Sequence, residues 1–205
     1  MTYMRSAPGW KAAARRAVLI GLIALSCWIF QGSAYAQKAI TPEQETFTNL
    51  ELTLPPPGSK ERFYQLSRVA SAAYDAGDYE KADAYANELL SEADRNSGNW
   101  YYGDAIFYGN TTLGLVALKR DNNISQADNY LLAAGKTPGG PDLNSFGPNM
   151  LLAQELLKAG ERDVVLDFIG ECGRFWKGDP GRLSKWKEEI DKGEMPDFAP
   201  NLKYR

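Results

Sequence analysis

The stretch from Phe63 to Leu90 constrains the fold of this chain more than any other part of the sequence. Apolar residues recur there three or four positions apart on both sides of a Gly-Asp pair at 77–78, which is the period of an α-helix. The first set is Phe63, Leu66, Val69, Ala70 and Ala73, and the second set is Tyr79, Ala82, Ala86, Leu89 and Leu90. Because so short a connection leaves two helices only an antiparallel arrangement, the sequence predicts a helical hairpin.

The same kind of pattern follows twice more and predicts an all-α fold. We expect one helix pair over about 101–119 and 124–135, and another over about 148–159 and 162–175. Residues 136–144, with their prolines and glycines, are typical of a loop. A lone hairpin cannot bury its apolar stripe and must stack on a neighbour. The predicted architecture is therefore an α-solenoid of about three antiparallel helical hairpins with a C-terminal capping helix.

Two glycines, Gly109 and Gly114, lie inside the helix predicted over 101–119. Glycine weakens a helix interior by about 1 kcal/mol relative to alanine. A compensating gain is expected where the missing side chain lets another helix approach. The sequence therefore predicts close helix contacts at these two positions.

The parts of the chain that flank this helical body, which we expect over 59–176, have different compositions. Residues 37–58 lack a sustained helical period and end in the run Pro-Pro-Pro-Gly at 55–58, which favours extended geometry. We predict a proline-rich extended tether there and leave open whether it docks on the helical body. Residues 177–205 are predicted to form a capping helix around Trp186, followed by a tail.

Residues 1–36 have the layout of a secretory signal peptide. A basic leader without acidic residues precedes an apolar run from Ala17 to Phe30, and the small residues of Ala-Tyr-Ala precede the expected cleavage after Ala36. The run gives a helix of about 21 Å, shorter than the roughly 30 Å hydrocarbon core of a bilayer. We predict a periplasmic or secreted protein with no stable membrane insertion after cleavage. An uncleaved membrane anchor is the alternative.

One segment of the first hairpin resembles a known repeat. Residues 73–82 (Ala-Tyr-Asp-Ala-Gly-Asp-Tyr-Glu-Lys-Ala) resemble the middle of a tetratricopeptide repeat, where a Gly-Asp-Tyr turn precedes the small residue of the second helix. Leu113 and Gly114 resemble the Leu-Gly pair in the first helix of that family's repeat. Leu131 and Ala134 stand where its second helix has packing residues. The resemblance covers about residues 62–176 and implies a stack of TPR-like hairpins.

The sequence also departs from that family. Ala86 and Asp94 stand where the family prefers an aromatic residue and a proline. The residues that mark the three second helices are Ala82, Ala127 and Val165. Their spacings exceed the regular repeat of about 34 residues. A generic array of α-hairpins is therefore the alternative to a degenerate tetratricopeptide array.

The resemblance implies a binding surface on the first helix of each pair, since repeat arrays of this family contact their ligands on the concave side. Carried across by position, that surface consists of Tyr64, Ser67, Arg68, Ser71 and Tyr74 in the first unit, Tyr108 and Thr111 in the second, and Met150 and Gln154 in the third. It lacks the lysine and asparagine set that grips a terminal carboxylate in some members. A groove for an extended peptide is the expectation.

Three consecutive aromatic residues, Trp100, Tyr101 and Tyr102, begin the third predicted helix. One helix cannot bury three consecutive side chains on a single face, so at least one of them is expected to be exposed. Core packing is one interpretation of the cluster. The other is a binding surface for a peptide or for stacking on a glycan, and we include Trp100 and Tyr101 among the predicted partner-binding residues.

Composition argues against several classes of function. The chain contains no histidine, which removes the commonest general base and the most frequent zinc ligand, so we predict neither catalysis nor a cofactor or metal. Its net charge of −3 makes nucleic acid an improbable partner. Removal of the four basic residues of the leader would make the chain still more acidic. Cys172 is expected to be a buried structural thiol, with a reactive thiol as the alternative.

These observations favour a non-catalytic exported scaffold or adaptor that binds a partner protein or peptide on its concave face. A narrower hypothesis is an immunity-type inhibitor of a toxin that reaches the cell envelope. A hypothesis of a different class is a cell-wall glycan-binding module that uses the aromatic cluster at 100–102.

Overall fold

A computed structural model describes residues 39–202, and over that range the chain is all-helical, without a β-strand. This confirms the predicted all-α class. The α-helices are α1 (Pro42–Leu52), α2 (Lys60–Asp75), α3 (Tyr79–Arg95), α4 (Tyr102–Lys119), α5 (Ile124–Gly135), α6 (Pro141–Phe146), α7 (Leu151–Ala159), α8 (Arg162–Phe175) and α9 (Arg182–Asp191), and a 3₁₀ helix follows at Ala199–Leu202. The predicted signal peptide and its cleavage after Ala36 lie outside the described residues.

Helices α2 and α3 lie on the two sides of the Gly-Asp pair at 77–78, as the apolar period predicts. The Ser59 hydroxyl accepts from the amide of Arg62, and the Asp78 carboxylate accepts from the amide of Lys81, so each helix has an N-cap. Gly77 lies between them with a positive φ of 79°, a conformation that glycine adopts without strain. The two helices pack closely against each other.

Residues 42–52 form helix α1, so the prediction of an extended tether was wrong for this segment. Thr41 and Gln44 make a reciprocal capping box, with Pro42 in the first turn. The helix packs on α2 through the buried ring of Phe47, and Glu51 accepts hydrogen bonds from the Lys81 ammonium and the hydroxyl of a tyrosine on α3. Phe47 is the buried residue of α1, and most of the helix is exposed. The segment therefore has no sustained apolar period from which a helix could be predicted.

The region predicted as a loop at 136–144 contains the start of the short helix α6, so that prediction was also wrong in part. Pro141 occupies the first turn, and Asp104 of α4 supplies a cap from a distant part of the chain. The following helix, α7, begins at Leu151 rather than at Pro148. A cap supplied by a distant helix leaves no local sequence signal.

Helix α4 is central to the described structure and is buried on nearly every side. It packs against α2, α3, α5, α6 and α7. A side-chain Cβ at Gly109 would lie 2.7 Å from Leu90 of α3, and one at Gly114 would overlap Leu152 of α7. The close helix contacts predicted at these two glycines are confirmed.

The C-terminal part of the chain closes the core. Trp186 of α9 is buried, lies 5.0 Å from Phe198 between ring centroids, and donates its indole N–H to the carbonyl of Asp197. The Asn201 side chain donates to the carbonyls of Phe146 and Pro148, which fixes the 3₁₀ helix beside the α6–α7 connection. Between residues 39 and 202, no helix combines the length and apolarity that crossing a bilayer requires.

Candidate functional site

Helices α2 and α4 pack side by side in the same direction, and residues of both form the surface between them. The residues of α2 that line it recur at helical spacing, and so do those of α4; they are Tyr64, Ser67 and Ser71 on α2, and Tyr101, Tyr108 and Thr111 beside or on α4. Tyr101 contacts the earlier residues of α2, whereas Tyr108 and Thr111 share a pocket with Ser71 further along. The earlier and later parts of both helices therefore face each other in the same order. We call this feature the α2–α4 groove.

An aromatic cluster of Tyr64, Trp100 and Tyr101 forms one end of the α2–α4 groove. The ring centroids of Tyr64 and Trp100 are 5.2 Å apart with an interplanar angle of 32°, and those of Tyr64 and Tyr101 are 5.6 Å apart at 84°. Trp100 is 60% exposed and Tyr101 is 6% exposed. The expectation that the aromatic run cannot be wholly buried is therefore confirmed. The cluster offers an exposed indole that packs on the half-buried ring of Tyr64 and the buried ring of Tyr101.

Polar groups hold this aromatic cluster in place. The Asn99 amide donates to the Tyr64 hydroxyl at 3.0 Å, and the Ser67 and Tyr101 hydroxyls are hydrogen-bonded at 2.5 Å. The Lys60 ammonium lies 5.8 Å from the centroid of the Tyr64 ring. Burial raises the pKa of Tyr101 to about 12, so its phenol stays neutral across the physiological range. The cluster is thus a pre-organised surface.

A small pocket forms the other end of the α2–α4 groove. Its lining consists of Ser67, Ser71, Tyr108, Thr111, Thr112, Leu115 and Asn149. All of these side chains are uncharged, and burial raises the pKa of Tyr108, which keeps its phenol protonated. The cavity volume is about 20 Å³. A space of roughly 10–15 Å³ holds one water-sized group, so the pocket admits a group of only a few atoms.

The hydroxyl of Thr111 is the unusual feature of this pocket. Thr111 is 6% exposed, and its Oγ1 has no hydrogen-bond partner within residues 39–202. A buried hydroxyl without a partner is costly, on the order of 1–3 kcal/mol. The Oγ1 atom itself has almost no solvent-accessible surface, so a ligand atom reaches it only if the pocket wall moves.

The structure brings together seven of the ten predicted partner-binding residues. Tyr64, Trp100 and Tyr101 form the aromatic cluster, and Ser67, Ser71, Tyr108 and Thr111 line the pocket. The other three lie elsewhere. Arg68 is exposed on α2 outside the pocket lining, the Tyr74 ring packs 5.6 Å from that of Tyr79, and Gln154 accepts from Lys158 at 3.4 Å. The Met150 side chain, named with that surface, is fully buried.

Sequence reasoning missed three contributors to the pocket. Thr112 and Leu115 extend the α4 side of the wall, and Asn149 enters from the connection that precedes α7. Thr112 lies one helical turn after Tyr108, and Leu115 lies one turn after Thr111, so helical spacing pointed to both. Asn149 had no signal, because the distant segment that carries it is placed by tertiary packing alone.

Between residues 39 and 202, no three His, Cys, Asp or Glu side chains are grouped as metal ligands. Cys172 is fully buried, as expected, and burial raises the pKa of its thiol well above the ordinary value. The arrangement in the α2–α4 groove is suited to binding through rings and hydroxyls.

Fold and site together define an all-helical protein with an aromatic and hydroxyl-lined groove. Compared with the models of known families, with characterised proteins and with solved structures, this chain matches none.

Proposed function

We propose that this protein binds an extended peptide segment of a partner protein in the α2–α4 groove. It acts as a non-catalytic scaffold or adaptor built from helical hairpins of the tetratricopeptide type. The observation that carries the proposal is the convergence of seven predicted binding residues on one groove between helices that are not consecutive in the chain. A groove of rings and hydroxyls can accept and donate hydrogen bonds along a peptide backbone while packing its side chains.

The hairpin interpretation is supported by the packing order of the helices. Helix α2 packs on both α3 and α4, and α4 packs on both α3 and α5. In a stack of hairpins the first helix of one unit lies beside the first helix of the next, which is the relation between α2 and α4. Their shared groove then corresponds to the inner face of the array. We further propose that the protein works outside the cytoplasm, on the strength of the signal-peptide pattern.

Selection from a random peptide display library on the purified protein tests this function. We expect selected peptides to bind at least tenfold more weakly to Ser71→Arg, because Ser71 is half-buried at the pocket and an arginine there fills the groove. The matched control is Asn129→Arg, on an exposed position of α5 that does not line the groove. Equal loss in both variants, or none in either, contradicts the proposal.

A second candidate function is binding of a cell-wall glycan at the aromatic cluster. The observation that favours it is the 60% exposure of Trp100 beside Tyr64, since an open indole face stacks on sugar rings. Sedimentation with purified cell wall distinguishes this function from the first. Under this alternative the protein co-sediments with the wall, Trp100→Ala abolishes co-sedimentation, and Ser71→Arg leaves it unchanged.

A further inference from the structure

Helix α6 is a short surface element with little of its own structure buried. Five of its six residues are exposed, and Leu143 is its buried residue. Glycines with positive φ angles lie at both ends of the segment, Gly139 at 82° and Gly147 at 84°. Segments with few buried contacts open at low free energy, and hinges commonly lie at the ends of such elements. Residues 140–146 can therefore open locally while the neighbouring helices stay folded.

An ionisable group, the carboxyl of Asp104, holds this segment on α4. Asp104 is 0% exposed and accepts hydrogen bonds from the backbone amides of Asp142 and Leu143, in the first turn of α6. The backbone at Gly140 passes so close to the carboxyl that a Cβ there would overlap it. The segment thus covers the carboxyl directly. Opening of α6 transfers this group from a buried site into water.

Within residues 39–202, no lysine or arginine compensates for the burial of Asp104. The ionisable groups that face it are Asp142 of α6 and the phenols of Tyr101 and Tyr108 at α4. The negative charge of Asp142 also opposes ionisation of Asp104. A buried carboxyl without a cation favours its neutral form. The nearby groups of the α5–α6 connection and of α8 are uncharged, namely the Thr137 hydroxyl and the Phe175 side chain.

The closed form of α6 therefore holds the proton of Asp104 more tightly than the open form does. Burial outweighs the two backbone hydrogen bonds and raises the pKa of Asp104 to about 6 in the closed form, whereas its ordinary pKa is 3.8. The proton stabilises closure fully below about pH 4. This contribution is lost as the pH rises through about 6.

We propose that residues 140–146 form a pH-sensitive latch, which stays docked on α4 while the Asp104 carboxyl is protonated and opens locally about Gly139 and Gly147 when that carboxyl ionises. The latch is a property of the fold beyond the proposed peptide-binding function, and its test requires no ligand.

Native-state hydrogen exchange followed by NMR tests the latch. The reporting amides are those of Asn144 and Gly147, which donate to carbonyls of the segment itself. After correction for the intrinsic exchange rate, we expect the opening equilibrium constant of α6 to rise roughly tenfold between pH 5 and pH 7, as the pKa values of the closed and open forms require. These amides should also exchange at a lower free energy than those of α3, because local opening leaves α3 folded.

The variant Asp104→Asn removes the titrating group, so its α6 opening constant should not change between pH 5 and pH 7. The matched control is Asp167→Asn, the same change at an exposed position of α8, which should keep the tenfold rise. If Asp104→Asn does not fold, carboxyl carbon NMR of the wild type gives a second measurement. In that titration we expect the Asp104 signal to have its midpoint near pH 6.

Three results would overturn the latch. Exchange of the α6 amides at the same free energy as those of α3 would show that α6 opens only in global unfolding. An α6 opening constant that stays the same from pH 5 to pH 7 would show that Asp104 does not control it. A midpoint of the Asp104 signal near 3.8 would show that burial does not favour the neutral carboxyl. None of these results depends on peptide binding, so the latch and the proposed function fail separately.

Discussion

Asp104 is a buried carboxylate that joins helix α4 to the start of helix α6. Its two oxygens accept from the backbone amides of Leu143 at 3.2 Å and Asp142 at 3.4 Å. A Cβ at Gly140 would overlap this carboxylate, so the chain passes too close for any side chain there. Burial raises the pKa of Asp104 to about 6, with the two backbone hydrogen bonds acting in the opposite direction.

This raised pKa predicts a pH dependence of stability. The folded state holds the proton of Asp104 more tightly than the unfolded state, in which the pKa is near 3.8. The stabilising contribution is therefore full below about pH 4 and is lost as the pH rises through about 6. Between pH 4 and pH 7 the unfolding free energy of the wild type should therefore fall relative to that of Asp104→Asn. The expected fall is on the order of 2 kcal/mol.

Urea unfolding at fixed pH values measures this difference. The comparison with Asp104→Asn is needed because the lowered pKa values of Glu51 and Glu155 give the opposite trend at acidic pH. Those groups are present in both proteins and cancel. Parallel stability curves from pH 4 to pH 7 would show that Asp104 does not titrate in this window.

Helix α4 determines how closely the other elements can pack. Leu90 of α3 fills the space beside Gly109, and Leu152 of α7 fills the space beside Gly114. The backbone at Gly103 approaches Gly139 of the α5–α6 connection just as closely, and the Thr137 hydroxyl donates to the carbonyl of Gly103 at 2.6 Å. The glycines lower the stability that α4 would have as an isolated helix. In the folded protein they allow neighbouring helices to pack closely against α4.

A pair of alanine substitutions tests this account of the glycines. Gly114→Ala should lower the unfolding free energy by about 1–3 kcal/mol, because the new methyl group overlaps Leu152 and must displace it. Gly170→Ala is the matched control, in the interior of α8 with no atom within 4 Å of the added Cβ. It should raise the stability by up to about 1 kcal/mol through helix propensity. Chemical denaturation of both variants gives the comparison, and the same sign for both would refute it.

At the scale of the whole described structure, two large groups of core residues meet at α4. One contains Phe107 and Leu115 of α4 and extends through α8 to Trp186. The other contains Ala105 and Val116 of α4 and extends through α2 to Phe47 of α1. Because both groups include side chains of α4, loss of packing in either group uncovers part of α4 and so weakens the other group.

This shared helix predicts one cooperative unfolding transition for residues 40–202. Arrays of helical repeats can instead unfold in parts, since each repeat contacts only its neighbours. We expect the urea midpoints from far-ultraviolet circular dichroism and from tryptophan fluorescence to coincide within error. Hydrogen exchange should likewise show α3 and α8 opening with the same free energy. Two separated transitions would mean that the halves are energetically independent.

The sequence by itself determined the helices that carry their own signals. The caps at Ser59 and Asp78 and the apolar periods on both sides of Gly77 are local, so α2 and α3 were readable without a structure. Most of the residues at the candidate groove were predicted from the tetratricopeptide resemblance and from the aromatic run at 100–102. The glycines of α4 predicted close contacts, because glycine weakens a helix interior and another helix packing there compensates for it.

Only the tertiary structure decided which faces meet and what lies between them. Helix α1 is held by Phe47 against α2, and α6 is capped by Asp104 from a helix more than thirty residues away. Asn149 enters the pocket by the same kind of long-range packing. Local patterns record the preferences of one segment, whereas a pocket, a distant cap and an unpaired hydroxyl such as that of Thr111 exist only once several segments share the same space.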